Sequence, residues 1–322
     1  MVENSSTVEY RELRRSDLSS FDRLIPQGLG ELERSTGLDQ PTISQFKFLH
    51  SIGVWAILTF LRAIGRPPIR IFVGFHGGQV LGTASVIMLE RSGYILGVTT
   101  DSASRGRGIA THLLERLCLE AQRKGKRWVV LDVESDNETA LRVYRRLGFE
   151  EKVQFSWYVG SASTADTGSV ATEVPRSQWA EVADWANRNL PPAIRDPLPA
   201  ASGMLTHLEI FTRLLRAQVR TWRLSPSGQT MGVLRGFYLP AANTGFAFPI
   251  APGSGLSSES LFTLIRPAVG WFSSLGATRT VVVIQDPPGE WEPVLATLGL
   301  PRAVSTALMV RTAAPPGPSQ PC

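Results

Sequence analysis

Six consecutive residues, Arg105, Gly106, Arg107, Gly108, Ile109 and Ala110, are followed at fixed distances by Asn137, Ala140, Tyr144, Gly148 and Phe149. The glycines fall between a predicted strand and a predicted helix, so free backbone N–H groups and the positive end of a helix dipole converge there. Such a turn is an anion cradle, and pyrophosphate is the anion it suits. A Walker A loop would end in Gly-Lys-Ser/Thr, a sequence this chain lacks. A dinucleotide fingerprint would put a third glycine where Thr111 stands and would open a βαβ unit. Taken alone, the hexapeptide also reads as a structural turn with no ligand.

Regular elements must hold that turn in place. Residues 8–13 alternate as a strand, and Ser16 or Asp17 can cap a helix running towards residue 25. After a Pro/Gly-rich passage, Thr42 or Ser44 starts a long apolar helix through residue 63, stopped by Gly65 and Pro67-Pro68. Residues 70–75 and 80–89 form a hairpin about His76-Gly77-Gly78-Gln79, and residues 94–100 add a strand. The helix from residue 109 to 124 carries Ile109, Leu113, Leu114, Leu117 and Ala121 on one face and ends at Gly125. A buried strand (128–133), a helix (138–147) closed by Gly148 and a last strand (153–159) follow. The order β-α-α-β-β-β-α-β-α-β predicts an α/β fold of the α+β kind, with a mixed sheet and one parallel region.

The chain is written twice. A shift of 150 places Arg70, Gly78, Gln79 and Gly82 on Arg220, Gly228, Gln229 and Gly232. A shift of 151 places Leu113, Gly125, Val130, Leu147, Gly148 and Val159 on Leu264, Gly276, Val281, Leu298, Gly299 and Val310. The reading is two copies of one fold over residues 1–160 and 170–313, a small polar linker at 161–169 and a disordered Pro-rich tail at 314–322. The copies are chemically unequal: Leu256, Ser257, Ser258 and Glu259 stand opposite Arg105 to Gly108, Pro288 opposite Asn137 and Leu295 opposite Tyr144. A glutamate at the helix start suits the dipole but repels a phosphate, although residues 252–255 offer a shifted glycine turn nearby.

Composition narrows the partners. With 43% hydrophobic and 19% charged residues the chain is a soluble globular protein, neither disordered nor collagenous. The net charge of +5 is spread evenly, with 21 basic against 18 acidic residues up to residue 160 and 12 against 10 beyond, so nucleic-acid binding has no support. Residues 51–61 are uncharged but too short to span a membrane, and residues 1–12 do not read as a signal peptide. Two cysteines, Cys118 in a helix and Cys322 in the tail, make no disulfide framework, which points to a reducing cytoplasm. His50 and His112 read as a partly buried and a surface histidine, and no cluster has metal-ligand spacing.

The segment Arg105 to Ala110 resembles the R/Q-x-x-G-x-G/A motif of the GNAT superfamily of N-acetyltransferases, and Gly97-Val98-Thr99-Thr100 resembles the strand leading into it. Asn137-x-x-Ala140-x-x-x-Tyr144-x-x-x-Gly148-Phe149 resembles the second half of that family's core. The resemblance implies a tandem GNAT-like acyl-CoA N-acyltransferase fold whose first copy binds acetyl-CoA as cosubstrate and whose second is degenerate. It implies that amides from Arg105, Gly106, Arg107, Gly108, Ile109, Ala110 and Thr111 hold the pyrophosphate, with Asn137 at the next helix start. It further implies that backbone groups of Val98, Thr99 and Thr100 on a splayed strand hold the pantetheine and the thioester carbonyl, where an N–H stabilises the oxyanion.

The same resemblance makes Tyr144 the general acid towards the departing thiolate, against the plainer reading of a core aromatic. Asp132 and Glu134 alternate with Leu131 and Val133, so both carboxylates share one strand face. Asp132 ranks first as the base for the acceptor ammonium and Glu134 second, with water-mediated or purely structural roles also open. The expected enzyme is an acyltransferase moving acetyl directly to a small-molecule or peptide amine without an acyl-enzyme, since Cys118 lies mid-helix. A non-catalytic acyl-CoA-binding module is the rival reading. Mycothiol synthases share the tandem arrangement but keep their motifs in the later copy, so this chain departs from them.

Overall fold

The computed structural model describes residues 8–38, 69–161, 171–199, 217–251, 255–285, 289 and 291–313. The apolar helix expected at 42–63 with His50, most of the linker, residues 252–254, Pro288 and the tail lie outside them.

The first half runs β1 (Glu9–Glu12), α1 (Leu18–Leu24), α2 (Glu31–Thr36), β2 (Arg70–His76), β3 (Gln79–Met88), β4 (Ser92–Thr100), α3 (Ile109–Arg123), β5 (Trp128–Glu134), α4 (Glu138–Arg146) and β6 (Glu150–Gly160). The second runs β7 (Thr172–Glu173), α5 (Trp179–Asn189), α6 (Pro192–Arg195), β8 (Gln218–Leu224), β9 (Gly232–Leu239), β10 (Thr244–Ile250), α7 (Ser258–Ser274), β11 (Arg279–Gln285), α8 (Trp291–Thr297) and β12 (Arg302–Thr312). The repeated glycines do the same work in both copies. Gly125 and Gly276 close α3 and α7 at φ of 67° and 79°, and Gly148 and Gly299 follow α4 and α8 at 80° and 71°, a left-handed conformation that costs other residues.

All twelve described strands form one sheet in the order β1-β2-β3-β4-β5-β12-β6-β11-β10-β9-β8-β7. Exchanging the two halves leaves this order unchanged, so the sheet has a pseudo-twofold axis between β12 and β6. The last strand of the second half sits inside the first: β12 pairs antiparallel with β5, from Thr306 opposite Glu134 to Thr312 opposite Trp128. Reciprocally, β6 pairs with β11. Alternation along each strand assigns the layers. Leu131 and Val133 join Leu113, Leu117, Leu141, Phe149, Ala307 and Met309 in the core under α3 and α4. Val130, Val153, Leu308 and Val310 face the other way, towards Ile194 and Leu198. α1 covers Ile71, Val73 and Val80 on that same second face, and α7 and α8 build the large core of the second half.

The sequence-predicted strands and helices of the described first half are present within a few residues at their ends. The helix α2 is additional: it lies in the passage read as Pro/Gly-rich, where six residues are too few to set up a periodic pattern.

Candidate active site

The parallel pairing of β4 with β5 begins at Ser92 opposite Trp128 and ends at Ile95 opposite Leu131. Both strands continue, β4 to Thr100 and β5 to Glu134, but no longer with each other. Against β3, Thr83 faces Thr99 and Ser85 faces Leu96, so Gly97 and Val98 stand opposite Ala84 alone, and Gly97 takes φ of 63°. The bulge lies beside the fork that opens between β4 and β5; β10 and β11 part after the equivalent four pairs without one. Val98, Thr99 and Thr100 form one prong, and Asp132 and Glu134 the other.

The glycine turn stands at the open end of the fork. A short 3-10 helix, Ser102–Ser104, capped by the Asp101 carboxylate accepting from the Ala103 N–H, leads from β4 into it. Arg105, Gly106 and Arg107 are exposed, while Ile109 is buried and seats α3 on the sheet. Gly106 and Gly108 adopt φ of 77° and 78°, and at Gly106 a Cβ would meet no atom within 4 Å. Glycine is required there by backbone conformation rather than by protein crowding. α3 starts on Gly108, which has no side chain to cap it, so among the described residues the amides of Ile109, Ala110 and Thr111 open the helix without a side-chain acceptor.

The second copy treats the same place differently. Ser257 caps α7 by accepting from the Ser260 N–H, and Glu259 sits in its first turn. Leu256, opposite Arg105, is 3% exposed, and its carbonyl accepts from the Trp291 indole N–H at 2.9 Å. β10 also runs against β9 without a register break. At the second helix start the Ser260 amide is satisfied by the Ser257 cap.

Asn137 caps α4, its side chain accepting from the Ala140 N–H at 3.1 Å. Tyr144 is buried under α4 with its ring edge-on to Phe149 at 6.1 Å, and burial raises its pKa to about 12. The phenol therefore keeps its proton through the neutral range. Asp132 projects from the opposite face of β5, where burial raises its carboxyl to about 6 although a hydrogen bond from the Tyr94 hydroxyl opposes the shift. Glu134, on the same face, accepts from the Leu32 N–H at 2.7 Å through Oε1. Tyr144 and Asp132 thus flank β5 from its two sides, and Glu134 is engaged with α2.

Cys118 is buried, with its thiol pKa raised by that burial, so it offers no ready thiolate. His112 is exposed, stacks on Tyr10 and contacts the Gly108 carbonyl through Nδ1 at 2.9 Å. Among the described residues no group of His, Cys, Asp and Glu could hold a metal, and no helix is long and apolar enough to cross a membrane. Sequence reasoning missed Tyr94, one residue before the end of the β4–β5 pairing. Only the strand register brings it to Asp132: Tyr94 stands opposite Val130 on the neighbouring parallel strand, two positions before Asp132.

Residues 41–149 match the family model described as Acetyltransferase (GNAT) family. N-alpha-acetyltransferase 30 of Xenopus laevis is 29% identical over 162 residues, 49% of this chain and 52% of that protein, so the chain spans about half the length of this relative. A GCN5-related N-acetyltransferase structure from Sphaerobacter thermophilus aligns with a TM-score of 0.62 at 13% identity over 97% of both chains. A tandem GNAT protein from the clavulanic acid biosynthesis pathway aligns with a TM-score of 0.59 at 11% identity over 97% of this chain and 100% of that one. At such identities the structural likeness is one of fold, and it extends over both halves.

Proposed function

Because residues 41–149 carry a domain of the GNAT acetyltransferase family, we propose that this chain is an acetyl-CoA-dependent N-acetyltransferase whose first half is the catalytic copy. The observation that carries the assignment is the contrast between two equivalent helix starts. α3 opens on uncapped amides behind two left-handed glycines, whereas α7 is capped by Ser257, preceded by a buried Leu256 and closed over by Trp291. An uncapped amide cluster at a helix dipole is the arrangement a pyrophosphate stabilises.

In this reading the amides of residues 105–111 hold the pyrophosphate, with the exposed Arg105 and Arg107 side chains adding positive charge beside it. Backbone groups of Val98, Thr99 and Thr100 on the free edge of β4 hold the pantetheine arm and polarise the thioester carbonyl. Asn137 fixes the start of α4 and, with it, the place of Tyr144. The amine nitrogen bonds to the acyl carbon as the carbon–sulfur bond breaks. Tyr144 gives its proton to the departing sulfur, for which a phenol held protonated by burial is suited. Asp132 takes the first proton from the acceptor ammonium before attack, its raised pKa bringing it nearer the operating range of a base than an ordinary aspartate, and the second N–H proton, lost as the amide forms, restores the Tyr144 phenol. Glu134, with one oxygen committed to Leu32, ranks behind it.

The likeness to a protein named as an N-alpha-acetyltransferase supports the α-amine of a peptide as the acceptor class, ahead of small-molecule amines. The test is release of CoA thiol from acetyl-CoA by the full chain in the presence of peptides with free or blocked N-termini. Release that needs the free N-terminus is expected. Release equal with both peptides would move the acceptor to a side-chain or small amine, and absence of release across an amine panel would overturn the enzymatic reading.

A further inference from the structure

The short helix α2 is held at both ends by groups from elsewhere in the chain. At its start the Leu32 N–H donates to Glu134 Oε1, and a Cβ on Gly30 would lie 2.3 Å from that same oxygen. Just before it, a Cβ on Gly28 would come within 1.9 Å of Thr99 Oγ1. Residues 28–32 therefore cross the fork from β4 to β5, on the face of β5 that carries Asp132 and Glu134. Two glycines permit this approach, since any side chain would push the segment off the fork.

The other end belongs to the second half. α2 stops at Gly37, with φ of 73° and the Leu38 N–H returning to the Glu33 carbonyl at 2.8 Å. The Thr36 carbonyl lies 3.2 Å from Thr244 Oγ1 at the start of β10, whose single proton it shares with the Ala242 carbonyl at 2.9 Å. Thr36 and Thr244 are both fully buried, so water cannot replace that donor. Leu38 packs among Phe237, Phe246, Val281 and Val283 of the second half. A Cβ on Gly37 would stand 2.0 Å from Arg279 Nη1 of β11, so the two halves meet here without a gap.

We infer that the second half serves the reaction of the first by anchoring this strap, with Thr244 and Leu38 as positioning residues that set the acceptor side of the fork through α2. The inference rests on the proposed acetyl transfer at the fork. It gives the cofactor-closed copy a role in acceptor binding: moving the C-terminal end of α2 moves Gly28, Gly30 and the Glu134 carboxylate together, whereas the strap meets the cofactor side only at its far end, where Gln27 accepts from the Ser102 N–H at 3.1 Å and Gly28 abuts Thr99.

Thr244→Val removes the donor at nearly constant volume, Leu38→Ala removes the apolar anchor, and Thr244→Ser is the conservative control. In the intact chain the first two are expected to raise KM for the amine about fivefold, the effect of about 1 kcal/mol, with a distinctly smaller rise in KM for acetyl-CoA. Amide hydrogen exchange at Leu32 should quicken in both variants and return to the wild-type rate in Thr244→Ser. Equal rises in both KM values, or an unchanged Leu32 exchange rate, would overturn the inference. A wild-type chain that releases no thiol with any amine would defeat the proposed function instead, and the Leu32 exchange rate would still decide the anchor.

Discussion

At Tyr144 and Asp132, burial acts on two acids with opposite consequences. A phenol raised to about 12 stays protonated and can only give, whereas a carboxyl raised to about 6 changes state just below neutrality. Tyr144→Phe should lower kcat by roughly a hundredfold or more while leaving acetyl-CoA affinity unchanged, as measured by steady-state turnover beside equilibrium binding. For Asp132 the sign follows from its proposed role as acceptor of a proton. Turnover should fall as pH drops through about 6, where the carboxylate becomes protonated, and Asp132→Asn should remove that limb from the pH profile. The alternation of Asp132 and Glu134 with Leu131 and Val133 was legible in the sequence because strand period needs only neighbours. The Tyr94 hydroxyl on Asp132 and the Leu32 amide on Glu134 were not, since both contacts join residues far apart in the chain.

Among the elements, α3 matters most, because its first turn is the proposed cradle. It rests on a glycine of β3: a Cβ on Gly82 would come 2.6 Å from Ile109 Cγ2 and 3.1 Å from the Thr99 carbonyl. Gly82→Ala should therefore lift the start of α3, costing about 1–3 kcal/mol of stability through overpacking and weakening acetyl-CoA binding at least in proportion. Denaturant midpoints and a binding titration would separate the two effects. Gly232 meets Leu256 and Leu264 in the same manner, which is why the repeat surfaced at these glycines. Turn glycines and helix stripes report on local geometry, so the hairpin at Gly77-Gly78 and the span of α3 could be read from sequence. A six-residue helix such as α2 carries no such stripe, and what holds it, Thr244 and Glu134, lies 208 and 102 residues from its bonded partner.

In the whole molecule the two copies are joined through their last strands. β12 brings Ala307, Leu308 and Met309 to at most 1% exposure between β5 and β6. At about 1.5–3 kcal/mol for each large side chain, with less for alanine, this burial alone approaches the lower end of the stability of an ordinary domain. A chain ending at residue 301 should lose its cooperative thermal transition by circular dichroism, and the second half supplied in trans should restore it. The repeat disclosed two copies but not this exchange, because a strand's pattern says which face it buries and not which neighbour it pairs with. The same pairing of like frameworks makes the second copy an internal control for the first. The central claim, that one copy is open to acetyl-CoA and the other closed, is tested most directly by calorimetric titration of the full chain with acetyl-CoA. One site per chain is predicted, abolished in Gly106→Val and kept in Gly255→Val; two sites, or binding that survives Gly106→Val and disappears in Gly255→Val, would contradict it.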